Sequence, residues 1–381
     1  MRPLFFKGNI VMGITTNVKL SDSYTFLRPR KKIENRTVLA AMTNKQSYDN
    51  GVISDDEINW LVARARGGFG IITTAATHIS KEAKAWDGEF GVFDDMHIPS
   101  LRKLTSSIHS TSSIILAQLF HGGLKSPQSI TGFIPISASE IECDGSNTGK
   151  SREASKDDID KIIKDFTEAA IRCSESGFDG IELHGAHGYL LAQFLGNKTN
   201  LRNDKWGGDI NGRSTLLIEI FKSIKNNVPE SFIVGIRISP EIEAIGINLK
   251  DTIDLIAILK DLGFDFIHIS CWDAFAPPVT FLDTDKTLTE IIVESYTDLP
   301  TIISTGAVWS GLDAQKLLNQ GADLVGVARA GIGHPNWGRM ACDISYNPQK
   351  PPYTREYLRD KKLSDVFIDY MSHWKDFVVE K

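Results

Sequence analysis

Short apolar runs rich in valine and isoleucine recur eight times along the chain, separated by polar stretches with helical spacing. The runs are nearly continuous rather than alternating, which is typical of strands buried on both faces of a parallel sheet. The eight predicted strands cover residues 36–42, 69–75, 113–119, 179–184, 232–238, 265–271, 301–306 and 323–328.

The stretches between the runs predict helices. Ser54 with Glu57 three residues later is typical of a capped helix start, and Ile159, Ile162 and Phe166 follow at helical spacing in a later stretch. Eight strands alternating with helices predict a (β/α)8 barrel, and an open doubly wound sheet is the alternative. A dinucleotide-binding sheet of that kind carries GxGxxG after its first strand, whereas the first run here leads into AAMTNKQS.

Three segments lie outside the regular alternation. The stretch after the third strand is long, polar and rich in Gly, Ser and Pro, and predicts a long loop or lid at the carboxyl end of the barrel. We expect an N-terminal arm over residues 1–30 and the barrel over residues 31–340. A C-terminal helical extension over residues 341–381 is expected to pack on the barrel or on a partner subunit.

Composition narrows the class of protein. The 381 residues are 41% hydrophobic and 24% charged, as in a globular protein. A net charge of −6 argues against a nucleic-acid or anionic-membrane binder. The four cysteines form no CxxC pair, which disfavours a disulfide scaffold, a zinc ribbon and an iron–sulfur cluster, and favours a reducing, cytoplasmic location. No apolar run approaches the ~20 residues of a membrane helix.

Candidate chemistry follows the strands, because barrel enzymes work at the carboxyl ends of their strands. Arg237, within an apolar run, needs an anionic partner from the protein or a ligand. Gly306 after strand seven and Arg329 after strand eight suit a phosphate. Gln118 either satisfies a backbone group or pairs with a flat heterocycle. The strand ends carry Met42, Thr43, Ala75, Gln118, His121, His184, Arg237, Thr305, Gly306, Ala307 and Arg329.

The stretch HGAHGYLLAQFL, residues 184–195, allows two interpretations. His184 and His187 could be metal ligands, but a catalytic zinc needs a third protein ligand, and Glu182 is expected to point toward the core or the helix layer. The favoured interpretation is two imidazole donors aimed at a substrate oxygen, with Tyr189 nearby as a proton donor.

Several of these motifs together resemble the Old Yellow Enzyme family of FMN-dependent ene-reductases, also called NADH:flavin oxidoreductases. The resemblance runs from about Asn35 to about Arg329, and the HGAHGYLLAQFL motif resembles the branch with two histidines. The motifs that carry it are NRTVLAAMT, HGAHGYLLAQFL, NLRNDKWGGDINGRS, STGAV and VGVARA.

The resemblance implies a cofactor and a reaction. FMN, as the sole prosthetic group, would be reduced by NADPH or NADH, and an enone, enal or nitroalkene would then enter the same site in ping-pong order. His184 and His187 would hold the substrate oxygen, and Tyr189 would protonate the carbon beside the activating group. The implied FMN contacts are Thr43, Ala75, Gln118, Arg237, Gly306, Ala307 and Arg329.

Departures from the family pattern leave the substrate open. Trp206 stands where relatives have a tyrosine, and Lys45 stands where some relatives place a substrate-facing tyrosine; Lys45 and Trp272 are candidate substrate contacts. The alternatives are an FMN-containing isomerase or demethylase-type relative, a metal-dependent barrel hydrolase, and a non-catalytic flavin-binding barrel. The expected partners are a small-molecule substrate and, as in relatives, further copies of the chain in a homodimer or homotetramer.

Overall fold

Eight parallel strands close into a barrel, in which each strand pairs with its neighbours in chain order and the last pairs with the first. A computed structural model describes residues 18–280 and 284–379. Closure excludes the open doubly wound sheet and confirms the predicted (β/α)8 fold. The barrel strands are β1 Thr37–Leu39, β2 Ile71–His78, β3 Ile114–Phe120, β4 Gly180–Gly185, β5 Ile233–Ile238, β6 Phe266–Ser270, β7 Thr301–Thr305 and β8 Leu324–Val327.

Helices connect successive strands and cover the barrel. Ser54 caps α1 by accepting a hydrogen bond from the Glu57 backbone N–H, but the Glu57 side chain does not return to the cap. It is buried and accepts hydrogen bonds from Asn44 and Ser47 instead. The barrel helices are α1 Asp55–Arg66, α2 Ile98–His109, α3 Lys156–Glu175, α4 Thr215–Asn227, α5 Leu249–Leu262, α6 Leu288–Ser295, α7 Gly311–Asn319 and the short α8 Arg329–Gly333.

Several shorter helices lie outside the repeat of strands and helices. Gly263 ends α5 with a φ of 89°, a left-handed conformation that glycine adopts without steric cost. None of the helices among the described residues is both long enough and apolar enough to cross a membrane. The helices outside the repeat are Gln128–Thr131, Leu190–Leu195, Ile210–Arg213, Trp337–Met340, Arg355–Asp360 and Asp365–Ser372.

The long segment between β3 and α3 is an ordered excursion. Strands Ile136–Ser137 and Arg152–Glu153 pair within it, and Cys143 is buried, with its thiol 3.2 Å from the Leu124 carbonyl. Lys125 is the one residue of this segment that lines the main cavity at the carboxyl end of the barrel. The excursion therefore contributes little to covering that cavity.

The amino-terminal end of the barrel is closed by apolar side chains. Strands Tyr24–Thr25 and Lys32–Ile33 pair with each other below the barrel, and the ring of Phe26 between them is fully buried, 6.4 Å from the ring of Phe266. These rings belong to the bottom cluster, a group of buried residues that comprises Phe26, Ile33, Val38, Ile71, Ile114, Leu116, Ile233, Phe266, Ile303 and Leu324.

The C-terminal residues return to the barrel. The ring of Phe367 packs 5.4 Å from that of Trp60 on α1, and the Ser364 hydroxyl donates to the Gln46 side chain at 2.6 Å. Strand Tyr353–Thr354 pairs with Val378–Val379. The division into arm, barrel and extension at residues 30 and 340 stays a prediction, and residues 1–17 and 380–381 lie outside the described part of the chain.

Candidate active site

A cavity of about 600 Å³ opens at the carboxyl ends of the strands, opposite the bottom cluster. Residues from widely separated parts of the sequence meet there because parallel strands end at the same face of a barrel. All the residues predicted to contact the cofactor or the substrate line it except Ala75 and Lys45. Those that do are Thr43, Gln118, His184, His187, Tyr189, Arg237, Trp272, Gly306, Ala307 and Arg329.

The two histidines form a pair on one wall. Their ring centroids lie 5.1 Å apart, and the rings are nearly perpendicular. His184 Nδ1 accepts the Ala186 backbone N–H at 3.3 Å, so a neutral His184 carries its proton on Nε2. His187 Nε2 lies 2.8 Å from the Ser270 hydroxyl. The backbone of His187 has a φ of 57°, a left-handed strain of the kind that concentrates at functional sites.

Both imidazoles are neutral at physiological pH. Burial lowers the pKa of His184 well below its ordinary value, and His187 and Arg237 lower it further. The pKa of His187 is likewise held far down by burial and by Arg237. Each ring therefore offers one N–H donor and holds no charge of its own, which suits stabilisation of negative charge on a substrate oxygen.

Tyr189 stands beside the histidines in an aromatic enclosure. Its ring lies 4.6 Å from Phe120 and 4.8 Å from His184, with Trp86 beyond. Burial raises the pKa of the Tyr189 phenol, so the group holds its proton at neutral pH. The Lys125 ammonium lies 5.0 Å from the centre of the ring and donates to the His187 carbonyl at 2.7 Å.

The floor of the cavity carries Gln118 and Arg237. One guanidinium nitrogen of Arg237 donates to the Ala41 carbonyl at 3.1 Å, whereas its buried Nε has no hydrogen-bond partner among the described residues. A buried, unpaired N–H donor costs free energy unless a ligand accepts from it. The Gln118 amide reaches Glu182 below the floor at 2.7 Å.

The wall formed by the ends of β7 and β8 suits an anion. Ala307 has a φ of 54°, and a side chain on Gly306 would come within 2.7 Å of the Cys271 carbonyl, so glycine is needed there. Arg329 forms no ion pair with any residue in 18–280 or 284–379, and its guanidinium lies 5.7 Å from the centre of the exposed Trp272 ring. An arginine without an ion pair, beside backbone that lines the same cavity, is a familiar phosphate-binding arrangement.

Two predicted site residues lie outside the cavity lining. The Ala75 carbonyl accepts hydrogen bonds from the hydroxyls of Thr74 and Thr77, and the neighbouring Ala76 lines the cavity instead. The Lys45 ammonium lies 5.3 Å from the centre of the Tyr370 ring. Trp206, one of the departures from the family pattern, is buried away from the cavity, with the Lys205 ammonium over its ring.

Ser270 and a C-terminal group are among the lining residues that sequence reasoning missed. Ser270 ends β6, a strand end to which no chemical role was assigned although the strand-end rule applies to it. Tyr370 is the other case: its phenol lies beside the side chains of Thr43 and Trp374 at the cavity. The aromatic-rich run DYMSHW was the available signal. From the C-terminal segment the cavity receives Pro351, Tyr370, Met371, Trp374, Lys375 and Phe377.

The described part of the chain contains no set of side chains that could bind a metal ion. Across residues 18–280 and 284–379, no three His, Cys, Asp or Glu side chains gather in a way that could hold a metal ion. His184 and His187 have the hydrogen-bond partners described above. Glu182 lies inside the barrel and accepts from Gln118 and His268 rather than turning toward the two histidines.

The family can now be identified. A family model described as NADH:flavin oxidoreductase / NADH oxidase matches residues 27–343. The chain belongs to this family. This flavin oxidoreductase is 32% identical over 325 residues to the probable NADH-dependent flavin oxidoreductase YqiG of Bacillus subtilis, covering 84% of this chain and 86% of YqiG. It is 31% identical to the NADPH dehydrogenase of Bacillus licheniformis, covering 81% of this chain and 90% of that enzyme.

The solved structures agree with the fold. An old yellow enzyme homologue from Zymomonas mobilis matches with a TM-score of 0.78 and 25% identity, covering 92% of this chain and 99% of that one. FMN is therefore the cofactor of this flavin oxidoreductase, and NADH or NADPH is its reductant. Arg237 Nε and Arg329, which lack a hydrogen-bond partner and an ion pair respectively among the described residues, and the Gly306 backbone in the cavity wall fit such a ligand. Membership of the family branch with two histidines stays a prediction.

Proposed function

We propose that the enzyme reduces activated C=C bonds of enones, enals or nitroalkenes. The convergence of His184, His187 and Tyr189 on one wall of the cavity is the observation that carries this proposal. Two neutral N–H donors and a protonated phenol match what such a reduction needs: an acceptor of charge at oxygen and a proton at carbon.

Each residue has a separate task in this mechanism. Bound FMN, reduced by NAD(P)H, is the source of the hydride that goes to the β-carbon of the alkene. His184 and His187 hold the carbonyl or nitro oxygen and stabilise the negative charge that develops on it. Tyr189 gives its proton to the α-carbon, and burial keeps that proton on the phenol until then.

Arg237 and Arg329 serve the cofactor rather than the substrate. The Arg237 guanidinium stabilises negative charge on the reduced ring system, and Arg329 with the backbone at Gly306 and Ala307 holds the phosphate. Gln118 and Thr43 bond ring heteroatoms, and Ala76 is favoured over Ala75 for the backbone contact because it lines the cavity. Because one cavity takes both the nicotinamide and the alkene, the kinetics are expected to be ping-pong.

The departures that favoured other functions carry less weight in the folded chain. Neither Lys45 nor Trp206 lines the cavity, so these residues offer little support for an isomerase or demethylase-type activity. Trp272, 82% exposed at the cavity mouth, remains a candidate substrate contact. A homodimer or homotetramer stays a prediction, which sedimentation equilibrium would check.

Separate measurement of the two half-reactions tests the proposed function. In anaerobic stopped-flow experiments with Tyr189→Phe, reduction by NADPH should keep its rate, whereas reoxidation by cyclohexenone should slow by about 10²–10⁴-fold. Tyr24→Phe, which removes a partly buried phenol hydroxyl at the opposite end of the barrel, should leave both rates unchanged. A flavin that is bleached by NADPH but not reoxidised by any activated alkene, even in the wild type, would refute the proposal.

A further inference from the structure

Below the cavity floor, four buried side chains form a continuous hydrogen-bonded chain, and two of them, Glu182 and His268, have no task in the proposed reaction. Gln118 Nε2 lies 2.7 Å from Glu182 Oε1, and Glu182 Oε2 lies 2.7 Å from His268 Nδ1. His268 Nε2 lies 2.7 Å from the Thr305 hydroxyl. Gln118 and Thr305 line the cavity, whereas Glu182 and His268 have no exposed surface.

The direction of the hydrogen bonds follows from the charge of Glu182. Burial alone would raise the pKa of Glu182, but His268, Arg237 and Gln118 together hold it below its ordinary value, so the carboxylate is ionised. An ionised carboxylate only accepts. Gln118 Nε2 and His268 Nδ1 must therefore donate to it, and His268 Nε2, in the neutral ring, accepts the Thr305 hydroxyl proton.

This direction decides which end of the Gln118 amide, the oxygen or the NH₂ group, points into the cavity. Because the NH₂ group is held by Glu182, the amide oxygen is left for the cavity, where it can accept from a ring N–H. Without the carboxylate the amide would be free to turn over and present its NH₂ group instead. Glu182 therefore selects one of two nearly isosteric orientations.

Glu182 also balances charge. No Asp or Glu is among the residues that line the cavity within 18–280 and 284–379, yet Arg237 is buried in its floor. Glu182 lies one layer below, and the two groups attract each other. In a low-dielectric interior, a carboxylate at this position weakens the attraction that Arg237 exerts on negative charge in the cavity.

We propose that Glu182 and His268 are positioning residues that orient the Gln118 amide toward the flavin ring and partly offset the charge of Arg237, and that they thereby set the affinity for FMN and its reduction potential. The inference depends on FMN binding and does not depend on an alkene being the substrate.

Glu182→Gln is the first test, because it removes the charge and keeps the volume. The uncompensated Arg237 should favour the reduced cofactor, so the ratio of reduced to oxidised FMN affinity should rise about tenfold, corresponding to one hydrogen bond to a charged group. The readouts are a spectroelectrochemical midpoint potential, which should become more positive, and the Kd of oxidised FMN for the apoprotein. Neither readout requires turnover.

Variants of His268 keep the proposal testable if Glu182→Gln does not fold. His268→Gln retains a donor for Glu182 and an acceptor for Thr305 and should bind oxidised FMN nearly as well as wild type. His268→Leu removes both hydrogen bonds and should weaken oxidised FMN binding about tenfold. A His268→Leu protein with wild-type affinity would overturn the orienting role.

Asp265→Asn is the matched control. Asp265 is also a buried carboxylate and accepts the Val234 N–H at 2.7 Å, but it precedes β6 at the amino-terminal end of the barrel. This variant should lose stability without moving the potential. The charge role is overturned if folded Glu182→Gln has the wild-type potential, or if Asp265→Asn shifts the potential as much as Glu182→Gln does.

Discussion

The two ends of the barrel are built from the same eight strands and differ in almost every physical respect. At the amino-terminal end, the Phe26 ring is fully buried in the apolar bottom cluster, and the Tyr24 hydroxyl bonds Thr301 at 2.9 Å. At the carboxyl end, the buried Nε of Arg237 and Nε2 of His121 lack hydrogen-bond partners among the described residues.

Two residues with strained backbone lie beside the cavity. His187 and Ala307, both at the cavity, adopt positive φ angles that cost non-glycine residues free energy. The difference teaches that position along a strand decides a residue's role. Early positions contribute stability through burial, and late positions hold polar groups in arrangements that would be unfavourable without a ligand. Changes at the two ends should therefore have separable effects.

The largest expected effect is a loss of stability caused by a substitution in the bottom cluster. Phe26→Ala leaves a cavity in the bottom cluster and should lower the free energy of unfolding by about 3–5 kcal/mol. The turnover rate per bound flavin should not change, because Phe26 is at the opposite end from the site. Urea unfolding, together with activity normalised to flavin absorbance, measures both quantities. A fall in turnover per flavin as large as the fall in stability would show that the ends are not separable.

A substitution at the carboxyl end of the barrel should lower the reaction rate and leave the free energy of unfolding nearly unchanged. His187→Ala removes one N–H donor and should slow alkene reduction by about 10²–10³-fold with little change in stability. His187→Asn is the control, because asparagine tolerates a positive φ and retains an N–H donor. It should keep much more of the rate than the alanine variant. Equal rates for the two variants would contradict a donor role for His187.

Acid should destabilise the protein through His121, at the carboxyl end of the barrel. Burial lowers the pKa of His121 to about 3, so below the ordinary value of about 6.5 the unfolded chain binds a proton that the folded chain refuses. The sign is therefore a loss of stability as the pH falls, by about 1.4 kcal/mol per pH unit for this group.

The measurement is the pH dependence of urea unfolding between pH 7 and 4 for wild type and His121→Gln. Groups of opposite sign, such as Glu57 and Asp265, whose pKa values burial raises to about 7 and about 6, cancel in this comparison. Wild type should lose more stability on acidification than the variant. Parallel curves would mean that His121 is protonated in the folded protein.

The smallest expected effect comes from the Ser270 hydroxyl, which contacts the His187 ring. Ser270→Ala removes the hydroxyl 2.8 Å from His187 Nε2 and should cost about 0.5–1.5 kcal/mol in the alkene half-reaction, or roughly threefold to tenfold in rate. Reduction by NADPH should be unaffected. Single-turnover reoxidation resolves a change of this size, and Ser270→Thr, which keeps a hydroxyl, should lie between the variant and wild type.

Much of the fold could be read from the sequence because its signals are local. Each predicted run overlaps one barrel strand, and Ile159, Ile162 and Phe166 are buried on α3 as their spacing indicates. Ten of the predicted site residues line the cavity, since the ends of parallel strands converge wherever a barrel forms. Ala75 lies outside the cavity lining and Ala76 within it, next to the point where the pairing of β2 with β3 shifts register between Thr73 and Ala76.

Other features had no local signal. The aromatic-rich run around Tyr370 does not indicate that its helix returns to line the same cavity as Thr43, a residue more than three hundred positions earlier. The side chain of Glu57 sits at a capping-box spacing, and only the position of Asn44 and Ser47 shows why it turns inward. Such contacts depend on how loops cross the barrel, which hydrophobic periodicity does not encode.

The amino-acid sequence by itself determined the alternation of strands and helices, and with it the barrel and the end at which polar residues gather. It did so because burial on both strand faces and helical amphipathicity leave periodic traces. Only the tertiary structure decided how Gln118, Glu182, His268 and Thr305 are joined and that Arg237 keeps an unpaired N–H. Those outcomes depend on side-chain distances across the barrel, where residues distant in the chain share one low-dielectric interior.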